Sequence, residues 1–511
     1  MKKIIVALLL AALAITVLAS CAGKEEFIFA IKDGEAILTE YRGKGGDVAV
    51  PDTYEGKKVT KIGDLAFSYK QSVETVILPS SVKSIGKYAF VGCGELKGII
   101  FNGEELALGK EAFSGCVRLE SIDIKGCREI PEGAFKNCDA LKSISMNSVE
   151  IIADRAFFGC TGLSEMTLPD SVKSIGSRAF AECDSLVSVK LGDGVNEIGE
   201  LCFDRTPSSV SFGETPAVSV IKANTFYGCS GEKIEIPASV SKIESGAFAL
   251  CSAKIVFDEA IDMNVTEGMF KGYAGASITL PARAERIENG AFELTAAEII
   301  FSHSVIKEIG EGAFKGYLGQ KLTLPASVDC IGEKAFEKCL SNVEFESGSA
   351  IAEIGKNAFK GWLGVNIALP ETVVSLGEGA FSSCSRLVEV ALSSGIEILP
   401  EDAFFNCSSL EKINLENIVE IGAGAVGACG ALEKVVISDK TVKIGDGAFL
   451  MCGSLSSVSL GTGVKYIGLC AFADCAQLTV INYAGSEENF ASVELLNGAE
   501  AIGFCRIEYA K

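Results

Sequence analysis

The chain has one histidine, one tryptophan, six methionines and eleven prolines among 511 residues. Each scarcity excludes something. A Ser-His-Asp or Cys-His centre would have to be built on His303, in Phe301-Ser302-His303-Ser304, and such centres demand a second and third group in register. A solvated loop position is the ordinary reading of that residue. Basic charge is also short. Lys and Arg number 46 against 67 Asp and Glu, leaving a net charge of −21 and a pI near 4.7. Such a chain lacks the basic footprint that phosphates require, so no nucleic-acid partner is expected. No Cys-x-x-Cys pair occurs, which argues against a zinc site, and no cofactor or metal is expected.

Long apolar runs are also missing, except at the start. Lys2 and Lys3 precede Ile4 to Val17, a run too short to favour a membrane span. A positive n-region, a short apolar stretch and small residues before a cut read as a secretory signal. The ending Leu18-Ala19-Ser20-Cys21 resembles a bacterial lipobox. The resemblance implies cleavage before Cys21 and lipid attached to its thiol, hence a membrane anchor at that residue. An ordinary signal peptide with a chance cysteine is the alternative. Residues 1–20 are therefore read as a removed leader and 21–26 as a short lipidated tether. Residues 27–60 read as an N-terminal β-hairpin cap. Phe27-Ile28-Phe29-Ala30-Ile31 and Ala36-Ile37-Leu38 flank Asp33-Gly34, a dipeptide that supplies the positive φ of a tight hairpin.

What the chain has in abundance is repetition. Phenylalanine recurs at steps of 22 or 23 residues from Phe67 to Phe472, with only Val426 breaking the series of nineteen. A period of this size means a solenoid. Each unit carries a Leu-x-x-Val/Ile-x-Leu/Phe segment, such as Leu119-Glu120-Ser121-Ile122-Asp123-Ile124, whose alternation predicts a short strand with one face buried. Proline often follows (Pro79, Pro169, Pro237, Pro281, Pro325, Pro370) and ends the strand. Next comes Val-x-x-Ile-Gly, a second short extended piece. Ala-Phe-x-x-Cys then suggests one helical turn with Phe and Cys pointing inward. The expected fold is an α/β repeat solenoid of about nineteen coils over residues 61–485, with a parallel sheet on one face, single helical turns elsewhere and a C-terminal cap at 486–511.

The string Leu78-Pro79-Ser80-Ser81-Val82-Lys83-Ser84-Ile85-Gly86, then Ala89-Phe90, Cys93 and Leu96, resembles the BspA-like leucine-rich repeats of bacterial surface proteins. The likeness runs from about residue 60 to 485. It implies a curved solenoid, exposure at the cell surface, and binding to proteins or cells.

Most cysteines follow the repeat's Phe position by three residues: Cys93, Cys116, Cys138, Cys160, Cys183, Cys229, Cys251, Cys339, Cys384, Cys407, Cys429, Cys452 and Cys475. Stacked coils turn this spacing into a buried ladder of small apolar thiols, although neighbouring rungs are close enough for sporadic disulfides. Cys127, Cys202, Cys330, Cys470 and Cys505 lie off the ladder. A two-coil super-period appears in Phe270-Lys271-Gly272-Tyr273, Phe314-Lys315-Gly316-Tyr317 and Phe359-Lys360-Gly361-Trp362. Tyr273, Tyr317 and Trp362 there replace the cysteine. They either fill the core or form an exposed aromatic ridge that grips a ligand. Gly422-Ala423-Gly424-Ala425-Val426-Gly427 imitates a dinucleotide fingerprint. It falls in the repeat register, without the long helix such a site needs.

The outward positions of the longer strands form the candidate binding face: Asp123, Thr167, Lys190, Glu235, Thr279, Thr323, Glu344 and Asn414. The row is mixed in charge and poor in aromatics, which favours a protein over a glycan, and an inert solvated sheet is the rival reading. The expectation is a non-enzymatic, monomeric, lipid-anchored surface protein that binds an extracellular or envelope protein, in the manner of an adhesin. An envelope scaffold facing the periplasm or wall is the alternative. An enzyme would need an acid pair that nothing in the sequence orders.

Overall fold

The computed structural model describes residues 26–301, 305–496, 502 and 505–510. The leader, Cys21 and His303 lie outside the described residues. The chain divides into two compact units, Met1–Ile261 and Asp262–Lys511, and each is a parallel β-solenoid.

The first unit opens with an antiparallel hairpin, Phe27–Lys32 against Glu35–Tyr41, turned at Asp33 and Gly34, both at positive φ. Glu35–Tyr41 then pairs in parallel with Lys57–Ile62, so the hairpin covers the first coil. This matters because an uncovered terminal coil would present its core to water. Most later coils contribute a longer strand, such as Val73–Leu78, and a two-residue strand, such as Ser84–Ile85. The register places like on like. Ile130, Ile152, Ile175, Ile198, Ile221 and Ile243 pair in sequence, as do Ile287, Ile309, Ile331, Ile354 and Leu376 in the second unit. All of these are buried. A β-branched residue repeated at one pleat position packs against its own copy, and this selects the register.

Phenylalanine rings stack behind the turns. In the first unit Tyr41 lies on Phe67 at 5.0 Å, and ring centroids follow at 4.8 Å for Phe67–Phe90 and 5.3 Å for Phe90–Phe113. In the second unit the stack runs from Phe270 to Phe404, passes Val426, and resumes with Phe449–Phe472 at 5.2 Å.

The helical turn expected at Ala-Phe-x-x-Cys is absent. In its place the chain makes consecutive tight turns, and the residues two before and two after each Phe position are left-handed in every coil from Phe67 to Phe472. The coil of Phe90 shows why. Ala89, Val91 and Cys93 donate backwards within the coil, to Gly86, Tyr88 and Phe90. Tyr88, Phe90 and Gly92 donate to the next coil, to Lys110, Ala112 and Ser114, at 2.8–2.9 Å. An α-helical turn would direct every donor along its own axis and leave none for the neighbour. Alternate donors feed the stack here. The cost is a left-handed backbone at residues such as Leu65, Tyr88 and Arg178, about 1–2 kcal/mol each. The one α-helix among the described residues, Glu487–Phe490, follows Ser486, which caps it through a reciprocal bond pair with Asn489.

Candidate binding face

The outward positions of the longer strands are brought into rows. In the first unit Asp123 pairs with Ser145, Thr167 with Lys190, Lys190 with Ser211, and Glu235 with Val256. In the second, Thr279 pairs with Ile300 and Thr323 with Glu344. These side chains are exposed or half-buried, while their strand neighbours Ile122, Met166, Val189, Ile234, Ile278 and Val343 are buried. Period-two alternation produces this division. Ion pairs knit the face: Lys125–Asp123 at 3.7 Å, Lys233–Glu235 at 2.5 Å, and Lys321–Glu344 at 2.8 Å. Glu235 holds the Lys233 ammonium above its ordinary range by hydrogen bonding to it. Exposed pairs of this kind contribute little stability but set a defined charge pattern.

The aromatic-ridge reading is overturned. Tyr273 is 1% exposed, and Tyr317 and Trp362 are fully buried. Each ring lies edge-on to the Phe three residues before it, with centroids 5.6–5.8 Å apart. Tyr317 Oη donates to the Ala297 carbonyl at 2.6 Å, and Trp362 Nε1 to that of Ser341 at 2.8 Å. A glycine two residues on makes room. A Cβ at Gly275, Gly319 or Gly364 would stand 2.2, 2.3 or 1.8 Å from the ring atoms. The Tyr/Trp-x-Gly spacing was the signal that these rings fold back inward.

The cysteine ladder is buried and its thiols are specifically bonded. Cys93, Cys116, Cys138, Cys160 and Cys183 each donate to the carbonyl of the Phe position one coil back, at 3.0–3.1 Å. Cys384, Cys407, Cys429, Cys452 and Cys475 repeat this in the second unit. Thr295 Oγ1 does the same to Phe270. Burial pushes the thiols of Cys93, Cys183 and Cys339 up to about 12. All cysteines among the described residues are free thiols.

A cavity of about 900 Å³ in the second unit is lined by Glu389, Ala391, Glu411, Lys412, Asn414, Glu433, Lys434 and Val436, among others. Of the eight candidate binding-face residues, Asn414 alone belongs to it. Val436 is 64% exposed within it.

The BspA-type leucine-rich-repeat family matches this chain in six overlapping stretches, residues 60–148, 128–255, 219–339, 263–388, 307–425 and 386–493. The chain belongs to this family. Among solved structures, this BspA-type protein resembles a leucine-rich cell surface protein of Faecalibacterium prausnitzii A2-165. Identity is 21%, the match covers 93% of this chain and 97% of that one, and the TM-score is 0.34. It also resembles a leucine-rich repeat protein of Bacteroides ovatus ATCC 8483, with 20% identity, coverage of 96% and 100%, and a TM-score of 0.37. The leucine-rich repeat protein of T. pallidum is 29% identical, with coverage of 41% and 89% and a TM-score of 0.27. The family assignment rests on the repeat itself, not on these superpositions. No curated protein matches the chain.

In this BspA-type chain the Gly422–Gly427 string forms turns of the repeat. Gly424 takes positive φ, and a Cβ on Gly422 would meet the Leu399 carbonyl at 2.7 Å. Close stacking of coils accounts for both glycines. Among the described residues, no group of His, Cys, Asp and Glu is arranged to hold a metal, and no helix is long and apolar enough to cross a membrane. Glu411, Glu433 and Lys434 at the cavity were missed from sequence. Their register positions are ordinary, so no sequence signal set them apart.

Proposed function

We propose that the protein is a lipid-anchored cell-surface binding scaffold that engages a protein partner, adhesin-like, through the outward rows of its longer strands. The observation that carries this reading is the registered row itself. Thr167 beside Lys190 in the first unit, and Thr323 beside Glu344 in the second, form polar rungs on registered parallel strands, the kind of surface that repeat proteins present to partners. Mixed charge with few rings suits a protein better than a sugar. The lipobox at Cys21 supports tethering, since lipid on a mature terminus holds a protein to a membrane. The role proposed is recognition rather than catalysis.

The test is protease treatment of intact source cells, followed by blotting for the mature chain with a periplasmic control. Loss of the band with the control intact supports surface display. A protected band sinks the adhesin role and favours a scaffold within the envelope.

A further inference from the structure

We propose that the corner of the first coil bearing Leu65 and Tyr69 is a membrane-docking surface, seated in the headgroup layer of the bilayer that holds the chain. This rests on the lipid-anchor reading above and adds a second contact to it.

Leu65 and Tyr69 stand two residues before and two after Phe67, at the left-handed positions of the turn, with φ of 61° and 55°. Glycine adopts that backbone freely, whereas a side chain is opposed there. In every later coil at least one of the two positions is glycine or a polar residue. Leu250 is matched by Gly246, Leu294 by Gly290, and Met451 by Gly447. The first coil alone carries large apolar side chains at both, and both face outward. Leu65 is 56% exposed and Tyr69 68%. The Tyr69 ring leans on Gly92, where a Cβ would meet it at 2.6 Å, and presents the rest of its surface to solvent. Core packing therefore explains neither residue.

Their place in the fold says what covers them. Arg42 N donates to Glu26 O at 2.7 Å, and Tyr41 N to Ala66 O at 2.8 Å. These bonds put the point where the chain enters the fold beside the turn that holds Leu65. Ser72 fixes the other flank. Its Oγ donates to Lys44 O at 2.8 Å, and its carbonyl accepts from Gly46 N at 2.6 Å. Residues 42–44 thus run beside residues 69–72. From Cys21 to Glu26 is five residues, which reach about 18 Å at most when fully extended. A chain anchored at Cys21 keeps Glu26, and the corner beside it, next to the bilayer surface.

The chemistry of the corner suits that layer. A tyrosine sets its ring among apolar groups and its hydroxyl among polar ones, while Arg and Lys reach headgroup phosphates alongside. Arg42, Lys44 and Lys70 are balanced here by Glu26, Glu40 and Asp64. The corner therefore escapes the repulsion from anionic lipid that a chain of net charge −21 carries elsewhere.

The experiment attaches residues 22–511 through an N-terminal hexahistidine to phosphatidylcholine vesicles containing a nickel-chelating lipid. Brominated phosphatidylcholine is the quencher. Tyr69→Trp is the reporter. Ile31→Trp, in strand Phe27–Lys32 and towards the end away from Glu26, is the comparison. Emission of the unsubstituted chain, from buried Trp362, is subtracted. The expected result is a blue shift and loss of about half the Tyr69→Trp signal, with the Ile31→Trp signal little changed. A linker of about twenty Gly and Ser residues after the hexahistidine should leave the quenching in place. Leu65→Asp should abolish it, and Asp402 holds the same left-handed position in another coil, so the change fits the fold. Quenching that vanishes with the longer linker, or survives Leu65→Asp, is proximity alone and overturns the docking surface. So does a blue shift without quenching that grows with protein density, which means that a second copy covers the corner. The chelating lipid replaces the natural anchor. An unlipidated Cys21 therefore leaves this result untouched, and a negative result leaves the anchor standing.

Discussion

The Cys407 thiol donates to the Phe381 carbonyl, one coil back, at 3.1 Å. That carbonyl also accepts the backbone N–H of Cys384 within its own coil. The thiol therefore fills a second lone pair in a place that water cannot reach. Cys407→Ala leaves this acceptor half-satisfied beside a small void. Destabilisation of about 1–3 kcal/mol is expected from a urea midpoint. Cys407→Thr should cost less, because Thr295 already serves the same carbonyl position. Equal losses in the two variants would show that volume, not the bond, matters.

The raised thiols give a pH dependence with a definite sign. An ordinary thiol ionises near 9.0, and those of Cys93, Cys183 and Cys339 are pushed to about 12 by burial. Between these values the unfolded chain has lost protons that the folded chain keeps. Stability is therefore full below about pH 9 and falls as pH rises towards 12. Denaturant midpoints across that range should decline, and replacing Cys93 and Cys183 by alanine should flatten the slope. Iodoacetamide at neutral pH should label the ladder only after unfolding.

Gly364 and Trp362 form a pair that can be broken and repaired. A Cβ at 364 would lie 1.8 Å from the indole. Gly364→Ala should cost about 3 kcal/mol through overpacking and push the ring outward. Trp362 is the chain's single tryptophan, so its emission should shift to the red. The double change Trp362→Cys/Gly364→Ala restores the residue most coils use and should recover most of the loss. No recovery would refute the ring-over-glycine account.

The phenylalanine stack tolerates one valine, Val426, fully buried between Phe404 and Phe449. Phe157→Ala should therefore cost about 3–5 kcal/mol, and Phe157→Val distinctly less, by chemical denaturation. Similar losses would mean that ring stacking at 5.3–5.6 Å contributes beyond filled volume.

Lipidation stands apart from the solenoid. Cys21→Ser should abolish incorporation of labelled fatty acid and move the protein from the membrane pellet to the soluble fraction. Retention of label in the variant would point to another attachment site.

Repetition made most of the fold legible. Nineteen copies of one pattern average away the ambiguity of any single short strand, so period, register and the buried thiol ladder follow from Phe90, Ile85 and Cys93 and their counterparts. Asp123, Thr167, Lys190 and Glu344 were placed outward by alternation alone. The turns behind Phe were misread as helical because Ala-Phe-x-x-Cys has helical spacing in one coil. Only the neighbouring coil, which takes the N–H groups of Tyr88, Phe90 and Gly92, decides against a helix. The positions of Tyr273, Tyr317 and Trp362 likewise depended on whether a ring could pass over Gly275, Gly319 and Gly364, a question of backbone distance rather than residue type. Composition and spacing set the repeat because each coil must bury the same face against its copy. The exits from that regularity were decided by contacts between coils, which exist only once the chain is wound.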